Sequence, residues 1–279
     1  MKKLSTREIQ LEEKKILDLV VKFLDDHHLK CFLAGGTMLG AIRHHGFIPW
    51  DDDIDILMTR PDYDKLQEII KRGNQIPNSD LYFHSIGLHN STFPFTKVYK
   101  RSIEVYDRKY DDKYEKYLWI DIFPIDGLPK NDAECYKLYK RKKRYERLMK
   151  YRKINNEYLL QHNGILKRYI RLMIKNILKL FSDEYFAKKI ISLTKKYPYN
   201  QSDYVGCLVW GYGPQERMTK EDAEDYIEVT FEGSKYLGFK NFDQYLSNLY
   251  GDYMKLPPEE KRVTHNIDVW RIENEEIKK

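Results

Sequence analysis

The chain has 279 residues, of which 42% are hydrophobic and 33% charged, and its formal net charge is +6. That is enough for a sizeable core in one large domain, or one domain with an appendage, and it excludes long disordered tracts. No run of ~18 apolar residues exists and the opening MKKLSTREIQLEEKK has no apolar centre, so neither a membrane-spanning helix nor a signal peptide is expected and the cytoplasm is the expected location.

Ser5-x-x-Glu8 reads as a capping box, with Ile9, Ile16, Val20, Phe23 and Leu24 recurring at helical spacing behind it. A helix is predicted over about 6–27. Cys31 to Ala34 reads as a short buried strand, broken by Gly35-Gly36, and Thr37 to His44 as a second helix ended by Gly46 and Pro49. Ile54 to Met58 reads as a strand, and Pro61 opens a helix over about 61–72, where its missing N–H costs nothing. Strands are predicted at Leu81–Ile86, Thr96–Lys100, Ile103–Asp107 and Tyr117–Phe123, with Lys100-Arg101-Ser102 as a hairpin turn between the middle two. Long basic helices follow over about 131–154, 164–181 and 183–196. Short strands near 205–209 and 226–231 and a helix over 241–250 complete the reading. Gly127-Leu128-Pro129 marks the best subdomain junction, giving segments 1–130, 131–200 and 201–279.

Cys31, Cys135 and Cys207 are few, odd in number and far apart, which supports neither a zinc site nor a disulfide framework; buried reduced thiols are expected. Charge is spread unevenly. Residues 137–196 hold 19 Lys and Arg against 4 Asp and Glu, so the rest of the chain is net acidic. Such asymmetry points to a basic face meeting something anionic.

The chemistry concentrates in LAGGTMLGAIRHHGFIPWDDDIDI, residues 33–56. If Asp53 to Met58 is a strand, Asp53 and Asp55 share one pleated face while Ile54 and Ile56 enter the core. Two carboxylates ~6–7 Å apart repel by about 2–3 kcal/mol at an effective dielectric of ~20. A hard divalent cation with oxygen ligands offsets that repulsion, and Mg²⁺ commonly uses one or two carboxylates together with substrate phosphates. Gly35, Gly36 and Thr37 lie where a helix N-terminus approaches a phosphate. Asp121, alone within the apolar run Trp119 to Phe123, is the expected third carboxylate, because a buried Asp needs a partner. Asp126 reads as a turn residue.

GGTMLGAIRHHGFIPWDDDIDI, then WIDIFPIDGLP, then LYGDYMKLPPEEKR resemble, in order and spacing, the LicD family of phosphocholine transferases. That family belongs to the nucleotidyltransferase-fold superfamily with the fukutin-related ribitol-phosphate transferases. The likeness spans about residues 10–265. It implies an α+β fold, a nucleotidyltransferase-like mixed β-sheet flanked by helices, here with a basic helical subdomain. It implies Asp53, Asp55 and Asp121 as catalytic metal ligands for Mg²⁺, with Mn²⁺ as a substitute. It also implies a CDP-alcohol donor, CDP-choline foremost, and a glycan or lipid-linked glycan acceptor of teichoic acid, lipopolysaccharide or capsule. CMP would leave. The zinc-binding cysteines of some animal relatives have no counterpart.

Around that core, Arg43 and Lys97 are candidate donor contacts, against readings as a helix-end cation and an ordinary strand lysine. Asp252 is a donor-binding candidate or a plain turn. His44 and His45 read as structural, and Asp51 and Asp52 as supports of the metal site or caps of the turn. Trp50, Trp119 and Trp210 are candidates for the aromatic box that a quaternary ammonium prefers. In 164–181, Arg168, Arg171, Lys175 and Lys179 recur at helical spacing against Ile165, Tyr169, Leu172, Met173, Ile177 and Leu180. This fits either an ordinary surface helix or a helix lying on an anionic membrane. No nucleic-acid module is visible, so nucleic acid is not an expected partner. A nucleotidyltransferase moving NMP from an NTP shares the same carboxylates and remains open, as does a non-catalytic scaffold.

Overall fold

The computed structural model describes residues 1–111, 116–161, 164–264 and 267–272. The final residues of the segment read as 201–279 lie outside them. The elements in chain order are β1 (Lys2–Lys3), α1 (Thr6–Asp26), β2 (Phe32–Leu33), α2 (Gly35–His44), β3 (Asp55–Thr59), α3 (Arg60–Lys71), β4 (Leu81–His84), β5 (Thr96–Asp107) and β6 (Tyr117–Leu128). There follow α4 (Asp132–Lys153), α5 (Asn156–Gln161), α6 (Ile165–Leu178), α7 (Tyr185–Thr194), β7 (Tyr204–Gly206), β8 (Met218–Thr219) and α8 (Lys220–Glu224). Then come β9 (Tyr226–Phe231), β10 (Ser234–Phe239), α9 (Phe242–Tyr250) and β11 (Ile267–Arg271).

The main sheet is mixed, in the order β1-β11-β5-β6-β3-β2, with β4 on β5 and β7 on β6. It is flanked by helices, the α+β arrangement expected from the sequence. β6 pairs parallel with β3 and antiparallel with β5. Because side chains alternate across a strand, one residue in two of these strands faces the core. Ile56, Val98, Ile120 and Ile122 are fully buried there. α1 and α3 pack against β6. The capping box opens α1, with the Ser5 N–H donating to Glu8 Oε2 at 2.9 Å. Ile16, Leu17, Val20 and Leu24 then form its buried stripe.

Two predicted details change. β3 begins at Asp55, so Asp53 precedes the strand, although the Ile54 carbonyl already accepts from the Asp121 N–H at 3.0 Å. The predicted hairpin at Lys100-Arg101-Ser102 is instead an irregularity within one continuous strand, β5, whose register against β6 shifts between Lys100 and Glu104. The chain runs straight on because its edges find other partners. Residues 97–100 pair with β4 and 103–107 with β11, while the Arg101 and Ser102 N–H groups donate to Asp80.

The basic helices pack beside this sheet. Leu128, Cys135, Leu138, Tyr139, Leu193 and Leu208 form one small core, and Met149, Leu178, Phe186 and Ala187 another. The three cysteines are buried thiols, as expected. β10, unforeseen, pairs with β9 through Glu232-Gly233, both at positive φ, the conformation of a tight hairpin turn.

Gly40 illustrates how tightly the segment before the aspartates folds back. A Cβ there would meet the Gly46 carbonyl oxygen at 2.5 Å, and backbone cannot yield as a side chain does. Gly40→Ala should therefore cost about 1–3 kcal/mol, the usual penalty of overpacking, measured as a lowered urea midpoint with an unchanged m-value.

Candidate active site

The parallel register pairs Asp55 with Asp121, and the antiparallel register pairs Asp121 with Lys97. Lys97, Asp121 and Asp55 thus form one row across β5, β6 and β3, on the face opposite the isoleucines. Lys97 Nζ lies 2.9 Å from Asp121 Oδ1, and the lysine side chain is 3% exposed. Its ammonium also sits 4.2 Å from the ring centre of Trp119 and 4.8 Å from that of Phe93. Burial, then Asp53, Asp121 and Asp51, push the Asp55 carboxyl well above the ordinary range, with Lys97 pulling the other way.

Backbone contacts fix this row. The Asp55 N–H donates to Thr37 Oγ1 at 2.9 Å, and the Ala34 N–H donates to the Asp55 carbonyl at 3.1 Å. Gly35 starts α2 at φ +48°, a conformation that favours glycine, and its N–H donates to the Tyr245 hydroxyl at 3.1 Å. A Cβ on Gly36 would meet Asp51 Oδ2 at 2.7 Å. The Gly-Gly turn and Thr37 therefore sit directly against the aspartate segment.

Two cavities meet at the carboxylates. One, of about 480 Å³, is lined by Asp52, Asp53, Asp55, Lys97 and Asp121, with Phe93, Trp119 and Trp210 among its aromatic walls. The other, of about 270 Å³, is lined by Gly35, Tyr212, Glu216 and Tyr245. Asp53, Asp55, Lys150 and Trp210 belong to both. The arrangement offers room for two reactants on either side of shared acidic and basic groups.

Other predicted residues lie elsewhere. Arg43 donates to the Tyr253 carbonyl at 2.6 Å and tethers α2 to the loop after α9. Asp252 is exposed in that loop. Neither lines the two cavities, nor does Trp50, which lies under the Arg262 guanidinium at 5.1 Å. His44 packs edge-on against Trp50, and His45 ends α2 at positive φ. Asp126 is no turn residue: it is buried in β6 and paired with Arg60, whose Nε donates to it at 2.8 Å.

Several residues escaped the sequence reading. Lys150 Nζ lies 4.1 Å from the centre of a Trp210 ring, and Lys153 Nζ lies 3.1 Å from that of Phe93. Both had counted only as members of a basic run, yet their spacing sets them with Met149 on one face of α4. Glu13 is buried on the apolar stripe of α1. Burial, then Asp53, Asp52, Asp51 and Asp55, push its carboxyl well above the ordinary range. An acid at helical spacing from Ile9, Ile16 and Leu17 was the readable signal. Tyr212 and Tyr250 join hydroxyls at 2.5 Å beside Gly35; Tyr250 lies in the run LYGDYMKLPPEEKR and Tyr212 two residues after Trp210, but neither stands out among 23 tyrosines.

Among the described residues, no three His, Cys, Asp or Glu side chains form a ready-made metal cage. Asp53, Asp55 and Asp121 nevertheless suit a hard cation. They are oxygen donors, they line one cavity, and their neighbours' charge disfavours ionising Asp55. A magnesium site that uses substrate phosphates needs no closed protein cage.

A mixed sheet bearing paired carboxylates beside a glycine turn is the arrangement expected of the nucleotidyltransferase-fold class. The family described as LicD/FKTN/FKRP, nucleotidyltransferase domain, matches residues 28–161. A Haemophilus influenzae protein, lipopolysaccharide cholinephosphotransferase LicD, is 33% identical over 96% of this chain and 98% of its own length. Two uncharacterised proteins, of Rickettsia typhi and Rickettsia prowazekii, are 30% and 28% identical over 47% of the chain, covering 41% and 53% of their own lengths. The chain belongs to the LicD family, and it is a phosphotransferase enzyme.

Glu216 offers a test of the site's electrostatics. Burial lifts its carboxyl from 4.5 to about 7, against the backbone N–H groups of Gly213 and Tyr212 and the charge of Lys142, which lower it. The folded protein therefore holds this proton longer than the unfolded chain. The associated stability is fully present below about pH 4.5 and is lost as pH rises through about 7. Glu216→Gln should flatten the unfolding free energy across that interval, removing a decline of about 3 kcal/mol, as followed by urea titration at a series of pH values.

Proposed function

We propose that this enzyme transfers phosphocholine from CDP-choline to a hydroxyl of a cell-surface glycan, lipopolysaccharide or a teichoic acid precursor, and releases CMP. The observation that carries the proposal is the Lys97–Asp121–Asp55 row facing a cavity walled by tryptophans. The choline phosphotransfer named for the Haemophilus relative supports the choice of alcohol.

Asp53, Asp55 and Asp121 would hold Mg²⁺, which when bound neutralises diphosphate charge and polarises the phosphoryl oxygens. The remaining work falls to the chain's own groups. Lys150 and Lys153 supply positive charge beside the transferring phosphate from the wall of the larger cavity. Trp119 and Trp210 are the aromatic walls of the cavity against which the trimethylammonium would pack. The acceptor hydroxyl oxygen forms a bond to the distal phosphorus. The bond from that phosphorus to the bridging oxygen breaks, and CMP departs with the electron pair. Asp121, held against the Lys97 ammonium, takes the hydroxyl proton. Holding both reactants in line supplies much of the rate.

The purified enzyme should turn over CDP-choline in preference to CDP-ribitol, CDP-glycerol and CDP-ethanolamine, with CMP and the modified acceptor detected by mass spectrometry. Chelation should abolish turnover and added Mg²⁺ restore it. Asp55→Asn and Asp121→Asn should each lower kcat by roughly a thousandfold; Asp55→Asn should leave the unfolding midpoint near that of the parent, whereas Asp121→Asn, which removes the ion pair of the buried Lys97, should lower it. Pyrophosphate release from NTPs, with no reaction of any CDP-alcohol, would overturn the proposal in favour of nucleotidyl transfer.

A further inference from the structure

α6 is turned inside out relative to an ordinary surface helix. Such a helix buries its apolar stripe and shows its charges to water. Here Leu166, Tyr169, Ile170, Met173, Ile174 and Ile177 recur at spacings of three and four, and all are exposed, Leu166 at 75%. Leu180, just past the helix end, is 84% exposed, and Phe181 beside it is exposed as well. The side chain of Ile165 lies outside the described residues.

The opposite side faces the protein. Lys175 is 1% exposed, and its ammonium donates to the Ile154 carbonyl and to Asn156 Oδ1. Leu178 packs in the small core with Met149 and Phe186. The Tyr151 hydroxyl donates to the Arg171 carbonyl, and the Arg152 guanidinium donates to the carbonyls of Leu178 and Phe181. These contacts hold α6 in this rotation, so the outward stripe belongs to the fold. A continuous apolar surface of this kind on a folded domain marks an interaction site.

We infer that α6 lies in the interface of a bilayer containing anionic phospholipid, with its apolar stripe among the upper acyl chains. Charge selects this occupant. Exposed Lys167 borders the stripe, exposed Lys179 follows its end, and Arg168 and Arg171 lie half-buried behind it. The whole segment 137–196 carries 19 Lys and Arg against 4 Asp and Glu. Anionic headgroups complement that charge, and long basic side chains reach them while the stripe inserts. A second copy of the same helix would instead bring like charges together. Among the described residues no helix is long and apolar enough to cross a membrane, so α6 lies on the surface and does not span it. α6 packs on α4, whose Met149, Lys150 and Lys153 line the larger cavity, so the bound surface is one helix layer from the site. The inference concerns binding alone and stands whichever alcohol is transferred.

Flotation of the purified full chain with vesicles tests it. The protein should float with phosphatidylcholine–phosphatidylglycerol vesicles and remain behind with phosphatidylcholine alone. A variant carrying Leu166→Gln, Ile170→Gln, Met173→Gln and Ile177→Gln should lose partitioning by roughly tenfold or more, since each buried apolar side chain contributes to binding. Its unfolding midpoint and its turnover with a water-soluble acceptor should match the parent. Lys167→Glu with Lys179→Glu should remove the preference for the anionic lipid. Absence of flotation on anionic vesicles, or flotation unaffected by the four glutamines, would overturn the inference. So would a lipid-free dimer in sedimentation that the four glutamines convert to monomer, because the stripe would then be a contact between copies.

Discussion

Everything at the site depends on keeping like charges side by side on neighbouring strands. Asp55 and Asp121 face each other across a parallel pair, about 5 Å apart at the backbone. At an effective dielectric of ~20 their mutual repulsion is about 3 kcal/mol if both ionise. The sheet tolerates this because Lys97 closes the row from the third strand, and because Ile56, Val98, Ile120 and Ile122 on its reverse face are fully buried. Removing one member of such a buried pair is costly, since the survivor keeps its desolvation without its partner. Stability and reactivity thus draw on the same three side chains.

The carboxylate row was legible in the sequence for a simple reason. Charges inside apolar strands are conspicuous, and Asp121 between Ile120 and Ile122 needs a partner wherever it folds. The helices of the first half were legible through capping and periodicity, as with Ser5 and Glu8. Pattern alone could not reveal pairing. β5 looked like two strands because its middle residues change partners, and β10 and β11 make sense only beside β9 and β5. Lys97 was a candidate, but its register opposite Asp121 was not readable.

Residues reaching the site from remote segments were the hardest to find. Lys150 and Lys153 were hidden by abundance, since a basic helix offers many equivalent lysines and only packing says which turn inward. Glu13 illustrates the opposite case, an acid whose unusual place on an apolar stripe was visible but whose neighbours were not. Arg43 shows that a place inside a motif does not by itself bring a side chain into the cavity. Its guanidinium binds the Tyr253 carbonyl and joins α2 to the loop after α9.

The parallel pairing of β3 with β6 has a further consequence, in time. Parallel neighbours require a long crossover, here carrying α3, β4 and β5. Contacts between residues so distant along the chain form late, after their loop-closure entropy has been met. Capped helices such as α1 can gather early, but the acidic row arises only when the central strands dock. During biosynthesis the nascent chain therefore holds its reactive carboxylates apart until most of the sheet has emerged from the ribosome.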